Sequence, residues 1–109
     1  MTVGRALRKI AFEMVKSFAV DFARSCGPLG QALLSLDRFA EAATALAEGL
    51  RTILPHAERY PEALRVLTGT LLRMYLDARQ KANLEPSPEI VEAALRIPGP
   101  PPDRQGESA

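Results

Sequence analysis

The positions of the prolines constrain this chain more than any other feature of its sequence. Up to residue 97, prolines occur only between segments in which apolar residues recur every three or four positions. Proline lacks a backbone N–H and clashes with the preceding helical turn, so each one predicts a helix boundary. The pattern therefore predicts about five helices, at residues 2–24, 28–36, 38–54, 61–83 and 88–96.

The ends of these segments carry residues that suit helix termini. Pro28, Pro61 and Pro88 each stand where the first helical residue is expected. A backbone N–H at that position has no hydrogen-bond partner within the helix, so proline loses nothing there. Asp37 is predicted to cap the start of the third helix, and Asn83 to end the fourth in a left-handed conformation. The short connections predict antiparallel neighbours.

The choice of apolar residues agrees with an all-α fold. The chain has 17 alanines and 15 leucines among 109 residues, but only 14 valines, isoleucines and threonines together, and no tryptophan. Alanine and leucine favour helices, whereas β-branched residues favour strands. A single helical domain is predicted over residues 1–97, followed by a disordered proline-rich tail at 98–109.

Two sets of apolar residues lie on the first predicted helix. The larger side chains follow steps of three and four and are expected to face the core: Val3, Leu7, Ile10, Met14, Phe18 and Phe22. A second set widens the apolar surface: Phe12, Val15, Ala19 and Ala23. We therefore expect this helix to need partners on two sides.

The second and third predicted helices form a hairpin with a recognisable spacing of residues. Leu29, Gly30, Leu33, Phe39 and Ala42 occur at the offsets found in a tetratricopeptide repeat (TPR), which the hairpin resembles. A weaker copy lies 38 residues later, around residues 67–72. The resemblance implies antiparallel hairpins stacked as a short TPR-like array. It also implies a groove that binds peptides or other proteins.

The sequence offers little for catalysis or metal binding. Cys26 and His56 are the only candidate nucleophile and base, and neither lies within a known catalytic motif. One cysteine and one histidine are too few for a four-ligand zinc site, and no phosphate-binding glycine loop is present. We predict a non-enzymatic protein without cofactor or metal. Because its single cysteine cannot form an internal disulfide, we predict a cytoplasmic location.

Positive charge is concentrated near the start of the chain. The net charge is +1, but residues 1–24 contain five Lys or Arg residues and two Asp or Glu residues. We take this basic face as a tentative interaction surface, formed by Arg5, Arg8, Lys9, Phe12 and Lys16. The same segment resembles an organellar presequence, although Glu13, Asp21 and the apolar stripe that continues to Phe22 favour a folded helix.

The leading functional prediction is a non-catalytic protein–protein interaction module, a TPR-like adaptor or scaffold or the terminal part of a longer array. Its partner is expected to be a protein or peptide. A short stack leaves apolar ends uncovered, so a homo-oligomer is also expected. The alternative is a small helical protein that uses the basic first helix on a nucleic acid or a membrane surface. The nearly neutral net charge argues against nucleic acid, and no segment is long and apolar enough to span a bilayer.

Overall fold

The computed structural model describes residues 2–98, and the predicted tail from residue 99 onward lies outside this range. The described residues are all-helical, with four helices and no strand. The helices are α1 (Thr2–Ser35), α2 (Phe39–Arg59), α3 (Pro61–Lys81) and α4 (Pro88–Leu95). The all-α prediction is confirmed, and within the described range four helices replace the five that were expected.

The missing boundary is the one predicted at Pro28, which lies inside α1. Pro55 likewise lies inside α2, so this helix ends at Arg59 and not at residue 54. An internal proline costs about 3 kcal/mol through one lost hydrogen bond and a steric clash. Both proline rings are exposed, while their neighbours Cys26 and Ile53 are buried. Burial of the residues on either side outweighs the local preference to end each helix.

Asp37 has a different role from the predicted one. Its φ of 58° is left-handed, and it ends α1 without capping α2. The amides of Asp37 and Arg38 donate hydrogen bonds to the carbonyls of Leu34 and Leu33 at 3.1 and 2.9 Å. This pair of bonds is a Schellman motif, in which a left-handed residue satisfies the last carbonyls of a helix.

Three other predicted termini are confirmed. Pro61 and Pro88 begin α3 and α4. Asn83 has a φ of 60° beyond the end of α3, and a second Schellman motif forms there. Its bonds run from the amides of Asn83 and Leu84 to the carbonyls of Gln80 and Arg79.

Helix α2 is the centre of the fold. It packs against α1, α3 and α4, and its buried side chains include Leu46, Leu50 and Ile53, each with no exposed surface. The short connections at residues 36–38 and 60 make α2 antiparallel to both α1 and α3. Helices α1 and α3 consequently run parallel to each other, and they contact one another as well as α2.

Helix α1 extends beyond the helix on which it packs. At about 1.5 Å per residue its 34 residues measure about 51 Å, against about 32 Å for the 21 residues of α2. The longest dimension of the molecule is 53 Å. Residues 3–11 are all exposed, and Phe12 is the first partly buried residue. The first turns of α1 therefore project past the end of α2.

The face of α1 that packs on α2 is not the one expected from side-chain size. The buried positions are Ala19, Ala23, Cys26 and Gly30, whereas the predicted core stripe from Val3 to Phe22 is exposed. Of the second set, Ala19 and Ala23 are buried, Phe12 is half-buried and Val15 is exposed. Small residues let two helices approach closely, and this contact decides which side of α1 faces inward.

Candidate interaction surfaces

The predicted basic face lies on the same side of α1 as its buried residues. By helical geometry, Arg5, Arg8, Lys9, Phe12 and Lys16 continue the line of Ala19 and Ala23 toward the N-terminus. Because α2 ends opposite Phe12, only the residues from Phe12 onward on this face of α1 can contact α2. Phe12 contacts His56 in α2, and both Phe12 and Lys16 contact Tyr60, the residue that follows α2. Arg5, Arg8 and Lys9 lie beyond the end of α2 and are exposed.

Phe12 and Lys16 pack against residues at and just after the end of α2. The Phe12 ring centroid lies 6.2 Å from that of His56 and 6.4 Å from that of Tyr60, and the Arg59 guanidinium lies 4.8 Å above it. Lys16 Nζ lies 4.4 Å from the Tyr60 ring centroid. These contacts give the two residues a packing role. Within residues 2–98, Arg5, Arg8 and Lys9 form no ion pair.

The opposite side of α1 carries an apolar surface that we call the outer stripe: Val3, Leu7, Ile10, Met14 and Phe18. Their exposed fractions range from 56% to 72%. Farther along the helix, Leu29 and Leu36 are exposed at 52% and 64%. Periodicity identifies an apolar face but not whether the same chain covers it, so the sequence placed these residues in the core.

A groove runs between α1 and α3 along the side of the molecule. Its first part has a volume of about 530 Å³ and is lined by Pro28 on α1 and by Val66, Leu67 and Met74 on α3. A second part of about 510 Å³ shares Gln31 and Met74 with the first, so the two are continuous. We call this the α1–α3 groove. The sequence did not locate it, because it forms only when both helices pack on α2.

The α1–α3 groove is apolar in its middle and charged toward its ends. Arg24 lines one end, and Arg73, Asp77 and Lys81 line the other. Lys81 Nζ lies 3.2 Å from Asp77 Oδ2, whereas Arg24 and Arg73 have no ion-pair partner within the described range. Each end of the groove therefore carries a net positive charge.

A smaller cavity of about 320 Å³ lies where α4 packs on α2. Its apolar walls include Leu54 and Ile90, and two ion pairs cross between the helices at its edges. These pairs are Arg51 with Glu89 at 3.3 Å and Arg96 with Glu58 at 3.6 Å. Both are solvent-exposed and contribute little energy, so apolar burial holds α4 in place.

The structure does not bring Cys26 and His56 together. Cys26 is buried against Gly49, where an added Cβ would lie 2.9 Å from the Cys26 Cβ and 3.0 Å from its Sγ. His56 lies against Phe12, seven residues or about 10 Å farther along α2 than Gly49. The pKa of the Cys26 thiol is raised by burial and by the charge of Glu48, against a smaller opposing effect of a hydrogen bond with the Gly49 backbone. These surroundings favour a protonated, unreactive thiol.

This raised pKa predicts that the free energy of unfolding falls as pH rises through the ordinary thiol range. There the unfolded chain releases the Cys26 proton while the folded chain keeps it, which favours unfolding. Below that range both states are protonated, and the contribution is constant. Urea unfolding at a series of pH values should give a steeper decline for the wild type than for Cys26→Ala. Equal slopes would contradict the prediction.

Within residues 2–98, no group of three histidine, cysteine or acidic side chains is placed to hold a metal ion. The helices of this part of the chain also include none with the length and apolar character needed to cross a membrane. Comparison with family models, curated proteins and solved structures found no match for the chain.

Proposed function

We propose that this chain is a non-catalytic protein-interaction module, a short TPR-like array that binds a peptide segment in the α1–α3 groove. The groove is the observation that carries the proposal. It is open along its length, apolar in the middle and bounded by two helices that rest on a common third helix. An elongated apolar surface with charged ends suits a peptide with a few apolar anchors.

The packing of α1 on α2 supports the TPR-like part of the proposal. Gly30, the small residue of the motif, is buried where a Cβ would lie 2.7 Å from Leu46 Cδ2. Ala42, the small residue on the second helix, is buried as well. The resemblance implies that small residues at these two positions let paired helices pack closely. The α1–α3 groove lies between the first helix of this hairpin and the helix that follows it.

Selection from a displayed library of random peptides, followed by chemical-shift mapping, tests groove binding. We expect enrichment of peptides with apolar and acidic residues, and shifts clustered at Pro28, Val66 and Met74. Val66 is 80% exposed and lines the groove, so Val66→Arg should weaken binding by about tenfold or more without unfolding the chain. Leu95→Arg is the matched control because Leu95 is 79% exposed on α4. No selected peptide, or equal losses in both variants, would contradict the proposal.

The exposed cations of the overhanging first turns favour a second candidate function, association with an anionic surface. Arg5, Arg8 and Lys9 lie beyond the end of α2 and form no ion pair within the described residues. Binding to DNA or to anionic vesicles that weakens steeply with salt, and is lost on changing these residues to alanine, would favour this candidate. An absence of binding at low salt would remove it.

The proposal also includes self-association and a cytoplasmic location. The single cysteine supports the location, because no disulfide within the chain requires an oxidising compartment. The exposed outer stripe supports self-association. Light scattering at several protein concentrations and the location of a tagged chain in its own cell test these two points.

A further inference from the structure

The outer stripe leaves more apolar surface uncovered than a monomer ordinarily exposes. At 56–72% exposure its five side chains present on the order of 700 Å², compared with about 300–600 Å² for the largest patch on a typical monomer. Each partner in a standard protein interface buries about 800 Å². The exposed area on one helix face is therefore close to what a dimer interface requires.

We propose that the outer stripe packs against the part of α1 that carries Phe22 and Leu29 in a second copy, with the two α1 helices antiparallel and Phe18 at the two-fold axis. This inference deepens the self-association part of the proposed function and does not depend on peptide binding. In this register Met14 packs against Phe22 of the partner subunit, and Leu7 lies opposite Leu29 of the partner subunit. The interface is isologous, since each contact occurs twice.

The charges beside the stripe favour this register. Glu13 and Arg24 lie on the same flank, and a two-fold axis at Phe18 brings Glu13 to within about one residue of Arg24 of the partner subunit along the helix. In the monomer Glu13 pairs only with the nearby Lys16, at 3.1 Å. Arg24 has no ion-pair partner within residues 2–98. The pairing brings a carboxylate to the same level along the helix as each Arg24.

The charge distribution along α1 favours the antiparallel direction. Residues 1–24 contain five positive and two negative side chains, and Arg5, Arg8 and Lys9 are close together. A parallel pair would place both basic segments side by side, whereas an antiparallel pair places them at opposite ends of the interface. The repulsion between the two basic segments is therefore weaker in the antiparallel pair than in the parallel pair.

The same charges favour a protein partner over a bilayer. Glu13 borders the outer stripe and Asp21 lies in line with it, so both carboxylates would lie close to the lipid if the stripe entered a membrane surface. Carboxylates at this position oppose binding to anionic lipid. In the antiparallel pair, Asp21 lies beside its own Arg24 and level with Val15 of the partner subunit.

Analytical ultracentrifugation of the full chain tests the pairing. We expect a mass of twice 11.9 kDa for the wild type, and a dimer dissociation constant raised about tenfold or more by Phe18→Glu. Phe18 is 72% exposed, so this change should not unfold the monomer, and circular dichroism checks that point. Leu95→Glu is the matched control and should leave the mass unchanged. A wild type that is monomeric at all accessible concentrations overturns the proposal.

Charge exchange and cross-linking test the register. Glu13→Arg and Arg24→Glu should each weaken the dimer by about two- to tenfold, and the double variant should recover the wild-type constant. Phe18→Cys should form a disulfide-linked dimer under mild oxidation, since residues at a two-fold axis face each other. Failure of the double variant to recover, or cross-linking of Leu7→Cys in place of Phe18→Cys, overturns the antiparallel register.

Two further measurements separate this interface from the other candidates. Phe18→Glu should still bind a selected peptide in the α1–α3 groove, and Val66→Arg should still dimerise. Loss of groove binding alone would count against the peptide proposal only. Sedimentation with phosphatidylglycerol vesicles is the membrane test. A monomeric wild type that binds these vesicles, and loses binding with Phe18→Glu, overturns self-pairing in favour of a lipid surface.

Discussion

Replacing Leu46 with alanine lowers the free energy of unfolding by about 2–5 kcal/mol, because this side chain has no exposed surface and fills the contact between α1 and α2. Gly30→Ala is also destabilising, by about 1–3 kcal/mol from overpacking, offset in part by about 1 kcal/mol of improved helix propensity. The added Cβ would lie 2.7–3.0 Å from three side-chain carbons of Leu46. Leu46 is enclosed on all sides and has little room to move.

The two changes should therefore be strongly coupled. In a Leu46→Ala background the space next to residue 30 is open, so Gly30→Ala is expected to stabilise the chain by about 1 kcal/mol. Gly69→Ala is the matched control, since a Cβ at Gly69 meets no atom within 4 Å. It should stabilise by about 0.5–1 kcal/mol in both backgrounds. Urea unfolding followed by circular dichroism measures all these variants, and simple additivity would contradict close packing at Gly30.

Replacing Tyr75 with alanine should cost about 3–5 kcal/mol, the range for a large buried aromatic side chain. Tyr75 is 1% exposed, and its hydroxyl accepts a hydrogen bond from the Ser87 amide at 2.9 Å. This bond joins α3 to the residue that precedes α4. Arg79 holds the same connection by donating hydrogen bonds from Nε and Nη2 to the Glu85 carbonyl.

Tyr75→Phe measures the contribution of the hydroxyl to stability separately from that of the ring. It keeps the apolar contacts but leaves the partly buried Ser87 amide without its acceptor, at a cost of about 1–2 kcal/mol. Hydrogen exchange should show faster opening at the Ser87 amide than the loss of global stability explains. Unchanged exchange at this amide would contradict the proposed role of the hydroxyl in positioning α4.

The helix termini show where local sequence is a reliable guide. Proline at the start of α3 and α4, and asparagine after α3, act through restrictions on their own backbone conformation. Pro28 and Pro55 show where that guide fails. Their local cost of about 3 kcal/mol is real, but it is smaller than the gain from burying the surrounding residues against another helix.

The candidate surfaces likewise include one that the sequence located and two that it did not. The sequence identified the cationic residues Arg5, Arg8 and Lys9, which project past α2 and are exposed. It assigned Phe18 and the rest of the outer stripe to the core, and the structure exposes them. The α1–α3 groove had no signal in the sequence, because its walls come from residues more than 30 positions apart that share a neighbour only after folding.

The sequence by itself determined that this chain is helical, where its later helices begin and end, and that apolar residues occupy more than one face of α1. Those features depend on the spacing of residues along the chain and on the backbone preferences of single residues. Only the tertiary structure decided that α1 is continuous and which of its faces is buried. The small residues Ala23, Cys26 and Gly30 allow α2 to approach closely, and the large outer stripe is left exposed. Side-chain size alone could not predict that choice, because burial depends on the fit between two surfaces and not on the hydrophobicity of one.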